Sequence, residues 1–124
     1  SVRLAFSMFG GERMIIVSDS LRCAGMPDGE YELGGQQVFV KGGLARLANG
    51  TIAGSATNLF DCMKNAILFG IEETAAVRAS TINPACALGV QDKVGSIAPG
   101  KYADFIICRS DYTGKRVFMG GKEI

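Results

Sequence analysis

Apolar and polar positions in this chain fall into helix-like, strand-like and turn-like stretches. In "VRLAFSMFGG", Leu4, Ala5, Met8 and Phe9 recur at helical spacing, and the glycines that follow suit a helix C-cap. Next come four consecutive apolar residues, Met14 to Val17. They read as a strand buried on both faces, the pattern of a parallel strand covered by helices. The run ends on Ser18 and Asp19, so this strand is expected to deliver a carboxylate at its tip. No comparable β-α unit follows, and the strand's parallel neighbours have to come from elsewhere.

From Asp28 to Leu47 the spacing shortens. The pairs Tyr31/Leu33, Val38/Val40 and Leu44/Leu47 suggest short strands joined at glycine pairs, a β-meander. Asn49-Gly50 adds a hairpin signal, because both residues tolerate positive φ. The meander should therefore leave and return to one place. A helix is expected from about Asn58 to Phe69, ended by Gly70. Its polar residues Asp61, Lys64 and Asn65 make only a narrow stripe, which predicts a largely buried cylinder. A second helix, Glu72 to Ser80, carries two acids in its first turn. A third begins at Asn83-Pro84, read as a side-chain cap followed by proline at the first helical position, and stops near Gly89. The remainder gives short strands at Phe105 to Cys108 and Arg116 to Met119, then a glycine turn into the last residues, an open-edged β unit.

Composition narrows the function classes. Net charge is +1 with both signs interspersed, which offers no electrostatic footprint for nucleic acid or an anionic membrane surface. No apolar run reaches the roughly 18 residues of a membrane-spanning helix, and the start lacks signal-peptide order, so a soluble cytoplasmic protein is expected. The four cysteines stand far apart and none forms a C-x-x-C pair, which favours buried, reduced thiols over a disulfide or zinc set. There are 0 histidines, which removes Ser-His and Cys-His catalysis and the commonest metal ligand together. No metal-ligating residue is expected within the chain.

Glycine, 17 of 124 residues, is about twice its usual share, yet none of it fits a phosphate-cradling motif. "GSATN", Gly54 to Asn58, places a glycine and hydroxyls before a helix, which suits either polar ligand contacts or a plain helix cap. Asp19 is the best single candidate for chemistry. In α/β folds, ligands and catalytic groups sit at the carboxyl ends of strands, and a carboxylate there can move protons. By spacing alone a turn or cap aspartate is the commoner reading.

Taken in order and spacing, "MIIVSDS", "AGMPDGEYELGGQQVFVKGGLARLANGTIAGS", "NPACALGV" and "GSIAPGKYADFIIC" resemble the carboxyl-terminal third of the N-acetylglucosamine-6-phosphate deacetylases, a family of the amidohydrolase superfamily. The last block is a superfamily-level signal, whereas the long second block makes the resemblance specific. It implies an α/β fold, the carboxyl-terminal fragment of a (β/α)8 barrel with part of a small β-sandwich domain. Residues 1–90 would close the barrel, with Met14 to Val17 as its eighth strand, and residues 91–124 would belong to the sandwich. Asp19 matches the family's catalytic aspartate, and Ile52, Ala53 and Gly54 match the segment that contacts the sugar.

The implied reaction is hydrolysis of N-acetylglucosamine 6-phosphate to glucosamine 6-phosphate and acetate. A divalent metal, zinc or similar, would activate a water while one carboxylate serves as base and then acid. The family's metal ligands belong to strands upstream of Ser1, so this piece is expected to be inactive alone and to hold no catalytic metal. Its open strand edges suggest a homo-oligomer. Two further readings remain open: a non-enzymatic, self-associating domain, and an amidohydrolase acting on other amides or other N-acetyl sugars.

Overall fold

Glycine pairs shape the middle of the chain. Gly34-Gly35 and Gly42-Gly43 all have positive φ (57, 82, 57 and 79°), the requirement of a two-residue turn whose twist suits antiparallel strands. The computed structural model describes residues 2–124, which divide into two units. One takes the described residues up to Ile15 together with 66–124, and the other is 16–65. The secondary structure is mixed α and β.

In the 16–65 unit the turns link β1 (Gly29–Leu33), β2 (Gln36–Lys41), β3 (Leu44–Leu47) and β4 (Ile52–Ser55) into an antiparallel sheet in chain order. Register aligns Tyr31 with Val38, Val38 with Leu47 and Val40 with Ala45, so one face collects the apolar residues. Val38, Val40, Ala45 and Cys23 are buried there, with Leu21, Tyr31, Leu47, Ala53 and Ala56 packed against them. Phe39, between the two buried valines, is exposed. A β-bulge between β3 and β4 pairs Ala45 with Gly54 but Arg46 with Ile52, leaving Ala53 as the extra residue. The meander does return to its origin, since Ser20 bridges Ser55 in parallel.

The other unit begins with α1 (Val2–Phe9), ended at Gly10 (φ 76°), whose N–H donates to the Phe6 carbonyl at 3.0 Å. A 3₁₀ turn, Gly11–Arg13, follows. The chain enters this unit again within α2 (Leu59–Leu68), which stops at Gly70: Gly70 N–H meets the Ile67 carbonyl and Ile71 N–H the Ala66 carbonyl. That is the paired-bond ending glycine makes affordable. The all-round apolar sequence predicted a largely buried helix, yet only Met63 and Ala66 are buried and Leu68 and Phe69 are exposed.

α3 (Glu73–Ser80) starts one residue later than expected. Glu72 is its cap, each carboxylate oxygen accepting a main-chain N–H at 2.9 Å, from Thr74 and from Ala75. These bonds, that of Thr74 first, hold the Glu72 carboxyl below the usual carboxylate range. From α3, Glu73 accepts a hydrogen bond from the Tyr112 hydroxyl, which pushes that phenol up to about 12. Ala76 and Ala79 are fully buried, and Gly11 lies so near α3 that a Cβ there would sit 3.0 Å from that of Ala75.

Two expectations need correcting here. Asn83 does not cap α4 (Ile82–Ala87); it lies inside the helix, buried, and its Nδ2 donates to the carbonyls of Gly11 at 2.7 Å and Met14 at 2.8 Å. The local Asn-Pro cap signal lost to a long-range tie that uses both amide protons. Met14 to Val17 is not a ladder strand either. Its backbone is extended at Met14, but no strand among the described residues pairs with it, and Val17 is 74% exposed. An apolar run becomes a buried strand only when neighbours supply both ladders and both covering layers.

The chain ends in a three-stranded sheet, β5 (Phe105–Ile107), β6 (Arg116–Met119) and β7 (Lys122–Glu123). Phe105 and Phe118 stack at 4.8 Å, and Arg116 clasps Glu123 through two 2.7 Å bonds. All four cysteines are free, but only Cys23 is buried and Cys86 is exposed.

Two measurements probe these ties. Asn83→Ala should cost about 2 kcal/mol in equilibrium urea unfolding, because two carbonyls lose their donor, and Asn83→Asp should cost at least as much at neutral pH, since a carboxylate cannot donate to them. A loss below about 0.5 kcal/mol in both variants would show the tie to be dispensable. Glu72 has a depressed folded pKa, so its stabilisation is present above the ordinary carboxylate range and is lost as pH falls through the depressed value. The melting-temperature gap between wild type and Glu72→Gln should be largest near neutrality and close in acid; a pH-independent gap would contradict the cap.

Candidate active site

The sequence-level candidates, Asp19 and the segment Ile52 to Gly54, lie in the same unit, and the chain's own turn chemistry brings them together. At the far end of β3, Gly50 N–H donates to the Leu47 carbonyl at 2.8 Å, and the Asn49 side chain accepts from Thr51 N–H at 3.0 Å. This turns the chain back along β3 as β4, whose last residue reaches the start of the unit. Ser55 N–H donates to the Asp19 carbonyl at 3.1 Å, and Leu21 N–H donates to the Ser55 carbonyl at 2.8 Å. Asp19 is therefore tied to β4 through main chain on both sides of Ser20.

Asp19 has φ 48°, in the left-handed region that non-glycine residues visit rarely and aspartate more readily than most. Its residue is exposed, and among the described residues no hydrogen bond or ion pair engages its carboxylate. An acid presented from a pinned backbone with its oxygens uncommitted can take up or give a proton. Holding such a conformation requires surroundings that over-determine it.

Gly54 supplies part of that surrounding. At φ 151° it occupies backbone space reserved for glycine, and a Cβ there would lie 2.9 Å from Leu21 Cγ and Cδ2 and 3.4 Å from the Asp19 carbonyl oxygen. Leu21 packs against the core on one side and lines an open groove on the other. The three segment residues face differently. Ile52, opposite exposed Arg46, is 59% exposed; Gly54 sits opposite buried Ala45; Ala53 is half-buried and packs on the core.

Two serines flank Asp19, and spacing alone gave them no role. The Ser20 hydroxyl lies 2.5 Å from the Thr57 carbonyl and 2.7 Å from the Ser18 hydroxyl. The hydroxyl carries one proton and a carbonyl can only accept, so Ser20 donates to Thr57 and accepts from Ser18. Thr57 is set in turn by its N–H, which donates to Ser55 Oγ at 3.0 Å. The serine-rich "VSDS" and "GSATN" were visible signals, but nothing local says that they meet. A groove of 380 Å³ opens beyond Leu21, lined by Arg22, Cys23, Met26 and Tyr31 among others, and does not include Asp19 or the segment from 52 to 54.

A divalent metal does not fit this donor set. The chain has 0 histidines, and among the described residues no three of Cys, Asp and Glu gather as ligands.

Comparison with known proteins gives a consistent result. The amidohydrolase family model matches residues 8–124. The chain is 38% identical over 112 residues to N-acetylglucosamine-6-phosphate deacetylase of Bacillus subtilis (strain 168), covering 90% of this chain and 28% of that protein. It is 34% identical over 112 residues to N-acetylgalactosamine-6-phosphate deacetylase of Escherichia coli O157:H7, covering 90% of this chain and 30% of the other. Its structure superposes on the crystal structure of N-acetylglucosamine-6-phosphate deacetylase from Pasteurella multocida with a TM-score of 0.91 at 30% identity, over 99% of this chain and 32% of that one. The chain thus spans less than a third of each of these three relatives.

The crowding at Gly54 is directly testable. Gly43→Ala, where a Cβ would meet open space, should cost only the strain of positive φ, about 1 kcal/mol. Gly54→Ala adds a clash with Leu21 and should cost about 2–4 kcal/mol in urea unfolding. Equal losses for the two variants would mean that Leu21 moves aside freely.

Proposed function

Because the chain belongs to the amidohydrolase family, we propose that it forms the carboxyl-terminal part of a deacetylase that hydrolyses the acetamide of N-acetylglucosamine 6-phosphate to glucosamine 6-phosphate and acetate. The observation that carries this reading is the likeness to deacetylases of that substrate over nearly the whole chain, in sequence and in fold. In the same reading residues 1–90 complete a (β/α)8 barrel and 91–124 contribute to a small β-sandwich domain. The enzyme is cytoplasmic and self-associating, and the 124 residues alone do not turn over substrate.

Within that enzyme Asp19 is the general base and then the general acid. Its carboxylate accepts a proton as the attacking water's oxygen bonds to the acetamide carbon. It returns the proton to the amine nitrogen as the C–N bond breaks, so the free amine and acetic acid form, and transfer of the acid's remaining proton to the amine gives ammonium and acetate. Ile52, Ala53 and Gly54 contact the sugar. Ala53 and Gly54 do so through main-chain groups, while Ile52 offers the exposed apolar side chain. The pinned backbone of Asp19 supports the assignment, since proton transfer demands a carboxylate held within hydrogen-bond reach of its partner. Divalent-metal donors are not among these residues and belong, on this reading, to the portion of the relatives' length that the chain does not span.

A second substrate is favoured by one observation: the Escherichia coli relative is named for the galactosamine sugar, which differs in the configuration of one hydroxyl. Assaying both 6-phosphates with the complete enzyme decides between them by the ratio of kcat/KM. In that enzyme Asp19→Asn should lower kcat by about 10²–10⁴ while leaving the fold intact. Turnover within threefold of wild type would remove Asp19 from the chemistry.

A further inference from the structure

Asp19 stands at the apex of a small closed ring. The side chains of its two neighbours, Ser18 and Ser20, meet at 2.7 Å, and Ser20 reaches on to the Thr57 carbonyl at 2.5 Å. We propose that Ser20 is a positioning residue for Asp19: its hydroxyl joins Ser18 to Thr57 and so holds the left-handed backbone of Asp19 against the end of β4. The proposal rests on the catalytic reading of Asp19.

The main-chain ties alone do not fix this turn. Ser55 N–H to the Asp19 carbonyl and Leu21 N–H to the Ser55 carbonyl make a single, isolated bridge between two chain segments. Thr57 lies past the end of β4 and provides an anchor off that line, with its own position set by the bond from its N–H to Ser55 Oγ. The Ser18 to Ser20 contact then closes across Asp19 itself. It links the residues on either side of Asp19, whose φ of 48° is one that non-glycine residues hold only when their surroundings fix it. The direction in which the carboxylate leaves the backbone follows from that conformation, and a group displaced by about 1 Å can lose a hundredfold in rate. Ser20 neither faces the core nor takes part in the core cluster, so its substitution leaves the packing of the sheet in place.

The test uses the complete enzyme and three readouts. Ser20→Ala should lower kcat about tenfold with KM changed less than twofold, and Ser20→Thr, which keeps the hydroxyl, should recover kcat to within about threefold. Amide hydrogen exchange at Ser55, whose N–H is bound to the Asp19 carbonyl, should accelerate in Ser20→Ala and return toward wild type in Ser20→Thr. Wild-type kcat in Ser20→Ala, or a threonine variant no better than alanine, overturns the positioning role. Unchanged Ser55 exchange in Ser20→Ala overturns the ring itself, whatever Asp19→Asn does to turnover. Accelerated exchange beside an Asp19→Asn enzyme of normal turnover instead locates the failure in the catalytic reading and overturns the proposal with it.

Discussion

Two main-chain hydrogen bonds, Ser55 to Asp19 and Leu21 to Ser55, close the four-stranded meander on the point from which it departs. Everything in the 16–65 unit follows from that closure. Bringing such distant positions together costs loop entropy that grows only slowly with length. The excursion meets that cost by burying Val38, Val40 and Ala45 on Cys23 and its neighbours. The glycine turns make each reversal short, the alternating valines give one apolar face, and the returning strand lands beside the acid. A candidate site assembled this way inherits its precision from a sheet, although Asp19 itself lies in no strand.

The other unit uses the same logic with different groups. There a side chain closes the long range: Asn83, buried in α4, gives both amide protons to the carbonyl of the 3₁₀ turn's first residue, Gly11, and that of Met14 just after it. Close approach of small residues does the rest. Ala76 and Ala79 vanish from solvent, and Gly95 passes so near α4 that a Cβ would fall 2.7 Å from that of Ala85. Interiors built of alanine and glycine leave few methyl groups to remove, and backbone separation sets their stability more than side-chain bulk does.

What was legible in the sequence follows from the range of the forces involved. Helix ends at Gly70 and near Gly89 and the meander depend on residues within a turn or two and stand where the pattern put them, and α3 starts one residue later only because Glu72 serves as its cap. Met14 to Val17 forms no ladder among the described residues because hydrophobicity records a demand for burial, and the parallel neighbours that would meet it were expected from elsewhere. Asn83 misled: its local cap chemistry was real but weaker than two distant carbonyls. The 52–54 segment owed its selection to family resemblance, whereas Asp19 stood out by its place after an apolar run and owed to the resemblance only its promotion over an ordinary turn aspartate. The link from Ser20 to Thr57 escaped both routes. It joins a loop to the far end of a strand whose return path no local motif encodes.

The β-bulge beside Ala53 carries a consequence of its own. In a regular ladder Arg46 would face Ala53, and Ile52 would come opposite Leu47, on the side that packs inward. The inserted residue resets parity, so that Ile52 turns outward with Arg46 while Gly54 stays opposite Ala45. The neighbourhood of Asp19 is thus specified by a count as well as by identities. If the hairpin turn kept its place, regular pairing from that turn would put Ile52 opposite Leu47, so the facing of β4 depends on where its extra residue is accommodated. Spacing across this hairpin therefore decides which side chains the strand end presents beside Asp19.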